Sequence, residues 1–398
     1  MGNTVQSRRF SVHMLVWNDF CNDARVLKEA QTLQAVGYSV VVHAVHVPGK
    51  TAQKEYLDDG IEVRRVSLSP FKNKSGQSVA DAQRQSLVVQ VLSRVWAHLS
   101  MFRRLAFSRA DVIHAHDVNT LPTAWLAAKV SRAKLVYDAH EISSSREGYT
   151  GVRTLVSCVE RFLMPRAHGC ITTTDMRAKF FARAYGIARP VVLQNRPRLS
   201  HVARSQRIKD ELGLHEPWPV VVYQGGLQQG RGLERLVRVA ANVPGAYFVF
   251  IGGGRLEAPL RKLADELELA HRVLFIPTVS LADLPEYSAS ADIGVQPIEN
   301  TCFNHFTTDS NKLFEYVQAR LPVVASAFPE IRRVLRTHDL GILVPAGNCE
   351  ALEAALRELV VDETERRYYS ARAQQAAAAL SWESQEFVLI GLYDQILR

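Results

Sequence analysis

The stretch PVVVYQGGLQQGRGLERLV, residues 219–237, decides how this chain folds. A short β-branched run ends at Gly225–Gly226, and an amphipathic stretch begins near Gly232. An apolar run closed by glycine and followed by helical spacing reads as a buried strand, a tight turn and a covering helix. The same unit recurs downstream. Strand-like runs stand at AYFVFIG (246–252), RVLFIP (272–277), DIGVQP (292–297), PVVAS (322–326) and GILVP (341–345). Helical patterns near 255–268, 281–289, 311–319 and 328–336 separate them, and helices at about 349–360, 363–379 and 382–397 close the chain.

Upstream, the alternation has already run once. SVHMLVW (11–17), YSVVVHAV (38–45), IEVRRVSL (61–68), DVIHAH (111–116), AKLVYDAH (133–140), GCITTT (169–174) and PVVLQN (190–195) read as strands. Helical patterns lie at about 23–35 and near 80–107, 119–131, 151–165 and 176–185. Strand–helix alternation argues for parallel sheets covered on both faces. The expectation is an α/β protein of two Rossmann-like doubly wound domains facing a crevice. The polar, proline-containing stretch QNRPRLSHVARSQR (194–207) is the best linker. We therefore expect a first domain at 1–197 and a second at 198–381, with the final helix (382–398) returning to the first. In such sheets ligands sit beyond the carboxyl ends of the strands, so residues there carry the most weight.

Length and charge agree with two domains. The 398 residues exceed what one compact core usually holds. Residues 1–200 hold 28 basic and 15 acidic side chains, while residues 201–398 hold 20 and 25. A basic half joined to an acidic half implies different partners for each. The five cysteines are scattered and none has metal-ligand spacing, which argues against a disulfide framework or zinc site. The N-terminal residues predict no signal peptide, and no run of eighteen apolar residues predicts a membrane span. A cytoplasmic protein is expected, one that could lie peripherally on the inner face of the plasma membrane.

Three stretches carry candidate chemistry. In HFTTDSNKLFEYVQARLPVVASAFPE (305–330), Asp309, Ser310 and Asn311 are good N-cap types ahead of a helix packed by Leu313, Phe314 and Val317. Such an N-terminus binds anions through free N–H groups, and Lys312 adds a point charge. Glu315 shares a helix face with Lys312 and suits a pair of sugar hydroxyls; the plainer reading has it favouring the helix dipole. In 221–237, Gly225 and Gly226 permit close backbone approach, and Arg231 offers a fork suited to phosphate. A solvated arginine in a glycine-rich connection is the plainer alternative. IGGGRLE (251–257) has Glu257 where a dinucleotide fingerprint needs its third glycine. In the first half, His114 and His116 share one strand face, as do Asp138 and His140, with His140 at its strand end.

At these residues the chain resembles the retaining glycosyltransferases of family 4, whose fold is the two-domain GT-B. The resemblance rests on NDARVLKEAQTLQAVGYSV (22–40), ADVIHAHDVNTLP (110–122), LVYDAHE (135–141), YQGGLQQGRGLERLV (223–237), SASADIGVQP (288–297) and SNKLFEYVQARLPVVAS (310–326). It implies a C-terminal domain that binds a nucleotide-diphosphate sugar and an N-terminal domain that binds the acceptor. Arg231 matches the basic residue on the donor diphosphate, Glu315 the second glutamate of the E-x7-E motif on the ribose, and His140 a histidine near the transferred sugar. The implied donor site comprises Gly225, Gly226, Arg231, Thr308, Asp309, Ser310, Asn311, Lys312, Leu313 and Glu315. Asp23, Arg25, His116 and Asp138 fall on the acceptor side. Three departures stand out: Thr307 replaces the first motif glutamate, Leu227 replaces a common arginine, and WNDFCND (17–23) lacks paired glycines.

The resemblance implies sugar transfer with retention, from a UDP-sugar in preference to a GDP-sugar, to a glycan or lipid-linked acceptor in bacterial surface polysaccharide or glycolipid synthesis. No cofactor and no metal are expected, since no DxD motif is present. An epimerase on the same architecture and a non-catalytic sugar-nucleotide binder are the alternatives. No nucleic-acid module appears. Residues 86–109 and the basic–aromatic 176–185 suit an anionic membrane face, although the apolar stripe Val88, Val91, Leu92, Val95, Leu99 and Phe102 reads mainly as core.

Overall fold

The computed structural model describes residues 9–68, 87–145 and 151–398. They divide into two compact units: the described residues up to Thr173 with Arg177–Leu193 and Phe387–Arg398, and Thr174–Met176 with Gln194–Glu386.

The first unit is built on eight strands: β1 (Ser11–Leu15), β2 (Ser39–His46), β3 (Lys54–Tyr56), β4 (Glu62–Ser67), β5 (Val112–His116), β6 (Lys134–Ala139), β7 (Gly169–Thr172) and β8 (Val191–Val192). Their order is β3-β4-β2-β1-β5-β6-β7-β8, parallel except where β3 meets β4. The short polar edge strand β3 escapes the sequence reading because it buries no apolar side chain. The helices here are α1 (Ala24–Ala35), α2 (Leu87–Ala106), α3 (Asp117–Ser131), α4 (Arg153–Leu163) and α5 (Asp175–Tyr185). Asp23 caps α1 by accepting from the Val26 N–H, and Val26, Ala30 and Leu33 bury its inner face.

Two expectations for this unit are corrected. Of the α2 stripe read mainly as core, Val88, Val91, Leu92, Val95 and Leu99 are solvent-exposed, 49–66% accessible, while Phe102 packs partly buried against the core. Ala97, Met101 and Leu105, on the other side, hold the helix down. Ala97 lets α2 approach α3 closely, and Met101 and Leu105 fill the core beside it. Residues 80–86 of the expected helix lie outside the described residues. The basic–aromatic stretch 176–185 does not form an outward interfacial face. Phe181 is fully buried, Arg177 donates to the His140 carbonyl (2.6 Å), and the Tyr185 hydroxyl reaches Glu160 (2.9 Å).

The second unit is a six-stranded, fully parallel sheet of β9 (Val220–Gln224), β10 (Tyr247–Ile251), β11 (Val273–Ile276), β12 (Ile293–Gln296), β13 (Val323–Ser326) and β14 (Gly341–Val344), ordered β11-β10-β9-β12-β13-β14. The order reverses between β9 and β12, so the crevice for a ligand lies at their carboxyl ends. Helices α6 (Arg207–Leu212), α7 (Leu233–Ala241), α8 (Glu257–Glu266), α9 (Leu284–Ala289), α10 (Phe303–Phe306), α11 (Asn311–Gln318), α12 (Pro329–His338), α13 (Cys349–Val361) and α14 (Glu363–Ala376) wrap it. Alternation along the strands feeds two cores. Val221, Tyr223 and Val295 pack with Leu236, Leu260 and Leu356, and Val220, Val222 and Val249 pack with Leu313, Tyr316 and Ile331.

Residues 194–206 are held to the second unit. The Gln194 N–H donates to Gln385 (3.0 Å), and the Trp382 N–H donates to the Pro197 carbonyl (2.7 Å). The last helix, α15 (Glu386–Leu397), lies almost wholly in the first unit, where the buried Tyr393 hydroxyl bonds His114 Nδ1 (2.9 Å). Among the described residues no helix is long and apolar enough to cross a membrane.

Candidate functional site

The switch point of the second sheet gathers most of the residues singled out there. Register between β9 and β12 runs from Ile293–Val221 to Gly294–Val222. The Tyr316 hydroxyl then reaches both Val222 O and Val295 O at 3.2 Å, filling the gap as the strands part. Gly294 makes room for this ring: a Cβ there would come within 2.5 Å of it. Tyr316 thus anchors α11 to the strand ends at the switch point.

Ser310 precedes α11 with φ 55° and ψ 130°, a backbone that non-glycine residues rarely adopt, and its side chain makes no capping hydrogen bond. The first turn of α11 therefore keeps the positive end of its dipole without a side-chain cap. Lys312, in that turn, is half-buried with its ammonium 5.2 Å from the Tyr223 ring centre. Burial, reinforced by the nearby Arg231 guanidinium and opposed by Glu315, brings its amine down to about 8. Two mutually repelling cations beside a helix N-terminus form a site whose electrostatics improve when an anion binds. Gly225, at φ 116°, completes the cradle, since a Cβ there would lie 2.7 Å from Lys312 Cε.

Glu315 is held from behind. Its Oε2 accepts from Gln224 Nε2 at 2.6 Å, and Gln224 Oε1 accepts from Ser288 Oγ at 2.8 Å. Gln224 is buried, and its N–H also faces the Tyr316 hydroxyl (3.3 Å). These three partners are absent from the sequence reading. The available signal was position, because Gln224 is the last residue of β9 and falls on the face of Val220 and Val222. Gln296, ending β12, is buried with neither amide atom hydrogen-bonded among the described residues.

Other candidates play supporting parts. Asp309 is buried and accepts from Gln194 Nε2 (2.7 Å), which ties down the 194–206 segment. The Leu313 side chain lies in the core and its N–H returns to Ser310 O. Thr308 accepts from the Ser310 N–H at 3.1 Å and shapes the turn, while Asn311 is exposed. Gly226 accepts at its carbonyl from the Tyr223 hydroxyl (3.1 Å). Thr307, at the place of the first motif glutamate, is buried with its hydroxyl on Phe303 O (2.9 Å). Leu227 is core.

In the first unit, the acceptor-side candidates form a charge network under His140. Asp138 is fully buried at the end of β6 and accepts from Arg25 Nε (2.7 Å) and Nη2 (2.9 Å). His140 Nε2 lies 2.9 Å from Asp138 Oδ2, and its Nδ1 lies 3.8 Å from Asp117. Burial works against a charge on His140, but Asp117 and Asp138 overcome it and raise the imidazole to about 9. Arg25 and His140 hold Asp138 well below the usual carboxylate range despite burial. His140 and Asp117 are partly open, at 22% and 26%, whereas Arg25 and Asp138 are buried. Asp23 acts as the α1 cap, and His116 is buried 3.3 Å from His140.

Glu29, His114, His116 and Asp138 bring four donor atoms of metal-ligand type within 4.8 Å of one another. Both Asp138 oxygens are already committed to Arg25, whose Nε also lies 3.2 Å from Glu29. A divalent ion there would sit against a guanidinium, which electrostatics opposes.

With this geometry established, comparison places the chain among known proteins. The family described as Glycosyl transferases group 1 matches residues 204–376, and the Glycosyl transferase 4-like domain matches residues 23–197. The chain belongs to the group 1 glycosyltransferases. It is 25% identical over 391 residues to the D-inositol 3-phosphate glycosyltransferase of Geodermatophilus obscurus, covering 92% of this chain and 83% of that one. The sucrose-phosphate synthase of Thermosynechococcus elongatus superposes with a TM-score of 0.80 at 18% identity, covering 98% and 99% of the two chains. Anabaena HepE in complex with UDP-glucose gives 0.71 at 17% identity, covering 98% of each. The fold of this glycosyltransferase is therefore GT-B, as the sequence blocks implied. Its two family matches fall on the two sheets described above.

Proposed function

We propose that this glycosyltransferase takes its sugar from a UDP-sugar and passes it, with retention and without a metal ion, to a glycan or lipid-linked acceptor of a bacterial surface polysaccharide or glycolipid. The observation that carries this reading is the convergence of Lys312, Arg231, the uncapped start of α11 and a braced Glu315 at one switch point. The likeness to HepE, whose structures contain UDP and UDP-glucose, favours uridine over guanosine.

In this mechanism Glu315 accepts the ribose hydroxyls, and the cations with the helix N–H groups receive the diphosphate. The anomeric carbon–oxygen bond breaks, and its electron pair leaves on the diphosphate. Charge growing there is stabilised by Arg231, Lys312 and the α11 dipole. The acceptor hydroxyl forms the new bond on the same face, and its proton passes to the departing phosphate oxygen. His140, on the first unit, is the proposed positioning group for the acceptor side. Its Asp138–Arg25 support fixes the imidazole orientation.

Incubation with labelled UDP- and GDP-sugars tests the proposal. Slow hydrolysis of one UDP-sugar, insensitive to EDTA and lost in Glu315→Ala, is expected. Isomerised nucleotide sugar would point to an epimerase. Saturable binding without turnover on any donor would leave a non-catalytic binder and refute the reaction.

A further inference from the structure

The outward layer of the first unit carries an apolar surface that its own core does not use. On α2, Val88, Val91, Leu92, Val95 and Leu99 form one exposed stripe, with Trp96 beside it at 44% accessibility. The surface continues across the neighbouring helices. His98 bonds Thr123 Oγ1 at 2.8 Å, joining α2 to α3, and the Trp125 and Phe162 rings, 6.3 Å apart, join α3 to α4. Leu126 and Val130 of α3, and Leu155 and Phe162 of α4, are likewise exposed. Scattered surface leucines need no explanation, but a run over three packed helices does.

Its charge is one-sided. Exposed Arg94, Arg103, Lys129, Arg153 and Arg161 belong to these helices, and α2 has no acidic residue at all. Among the three helices the carboxylates are Asp117, engaged with His140, and Glu160, buried on Tyr137 and Ser143. The exposed charged side chains of these helices are thus arginine and lysine only, set among aliphatic and aromatic ones. Lys129 lies 5.7 Å over the Trp125 ring and Arg166 lies 3.6 Å over Phe162, so cationic heads flank apolar bodies.

We infer that the α2–α3–α4 face docks on an anionic phospholipid surface, with the α2 stripe lying in the headgroup–acyl boundary. The aliphatic stripe matches hydrocarbon, and the arginines match lipid phosphate. A second copy is the weaker occupant, because pairing this face with itself would bring one set of arginines against another. Docking of this kind holds the unit that carries His140 at the surface where lipid-linked substrates reside. The inference needs no assumption about the donor.

The test is sedimentation of the purified full chain with vesicles of phosphatidylcholine alone or with about 30 mol% phosphatidylglycerol. Binding to the anionic vesicles at low salt is expected, weakening as salt rises and absent on phosphatidylcholine. Leu92→Glu with Leu99→Glu alters exposed positions, and should lower partitioning by at least about tenfold with an unchanged thermal melt. Arg94→Glu with Arg103→Glu should remove the anionic preference. Glu315→Ala should bind vesicles as the parent does, so failure of the transferase reading and failure of docking are separable. The inference falls if the parent stays in the supernatant at low salt or if the Leu92/Leu99 variant binds equally well. A dimer dissociated by that variant in sedimentation equilibrium would also overturn it, by assigning the face to a second copy.

Discussion

Gln224 offers the sharpest test of how the second unit holds a nucleotide. It touches no expected ligand atom, yet it donates at 2.6 Å to Glu315 Oε2 and is itself oriented by Ser288. Gln224→Leu preserves the apolar volume and leaves Ser288 its second acceptor, Leu284 O at 2.9 Å. What Glu315 loses is its hydrogen bond from the Gln224 amide, worth about 1.5–3 kcal/mol for a carboxylate acceptor. If Glu315 binds the ribose only when so oriented, UDP affinity should fall about 10- to 150-fold. Isothermal titration with UDP measures this directly, and a double-mutant cycle with Glu315→Ala supplies the decisive comparison. In the Gln224→Leu background, Glu315→Ala should cost little more, because both changes remove the same contact. Full additivity of the two losses, or unchanged UDP affinity in a folded Gln224→Leu protein, would refute the bracing role.

The charge states lead to two further expectations. The His140 imidazole should titrate near 9 by NMR, and Asp117→Asn should lower that value because Asp117 is a principal source of the upward shift. A histidine raised above its unfolded value stabilises the fold fully below about 6.5, and this contribution should fade as pH climbs towards 9; chemical denaturation across that window checks it. Lys312 carries its charge below about 8, and a diphosphate favours that charged form. UDP affinity should therefore decline as pH rises through 8, with a proton taken up on binding, and Lys312→Met should flatten the profile.

What the sequence disclosed and what it concealed divide along a physical line. Buried parallel strands are continuous apolar runs, so β9 through β14 were legible to within a residue or two. The same periodicity misled at α2, because that helix is apolar on two sides and hydropathy alone does not say which side meets the protein. Packing decided it: Ala97 permits close contact with α3, Met101 and Leu105 enter the core, and Val91 and Leu92 were left outside. Arg231, Lys312 and Glu315 stood out because glycine turns and helix starts are local features. Their supports did not, since Gln224 meets Glu315 from 91 positions away and Gln194 meets Asp309 from 115. Asp309 shows the consequence most plainly: a good capping residue by type, it serves as an anchor because a buried amide lies opposite it. Residue type and spacing thus nominate the groups that could bind a nucleotide, whereas strand order determines which of them are braced to do so. The Gln224–Glu315 cycle discriminates between those two levels, because a purely local helix site would not respond to a change at the end of β9.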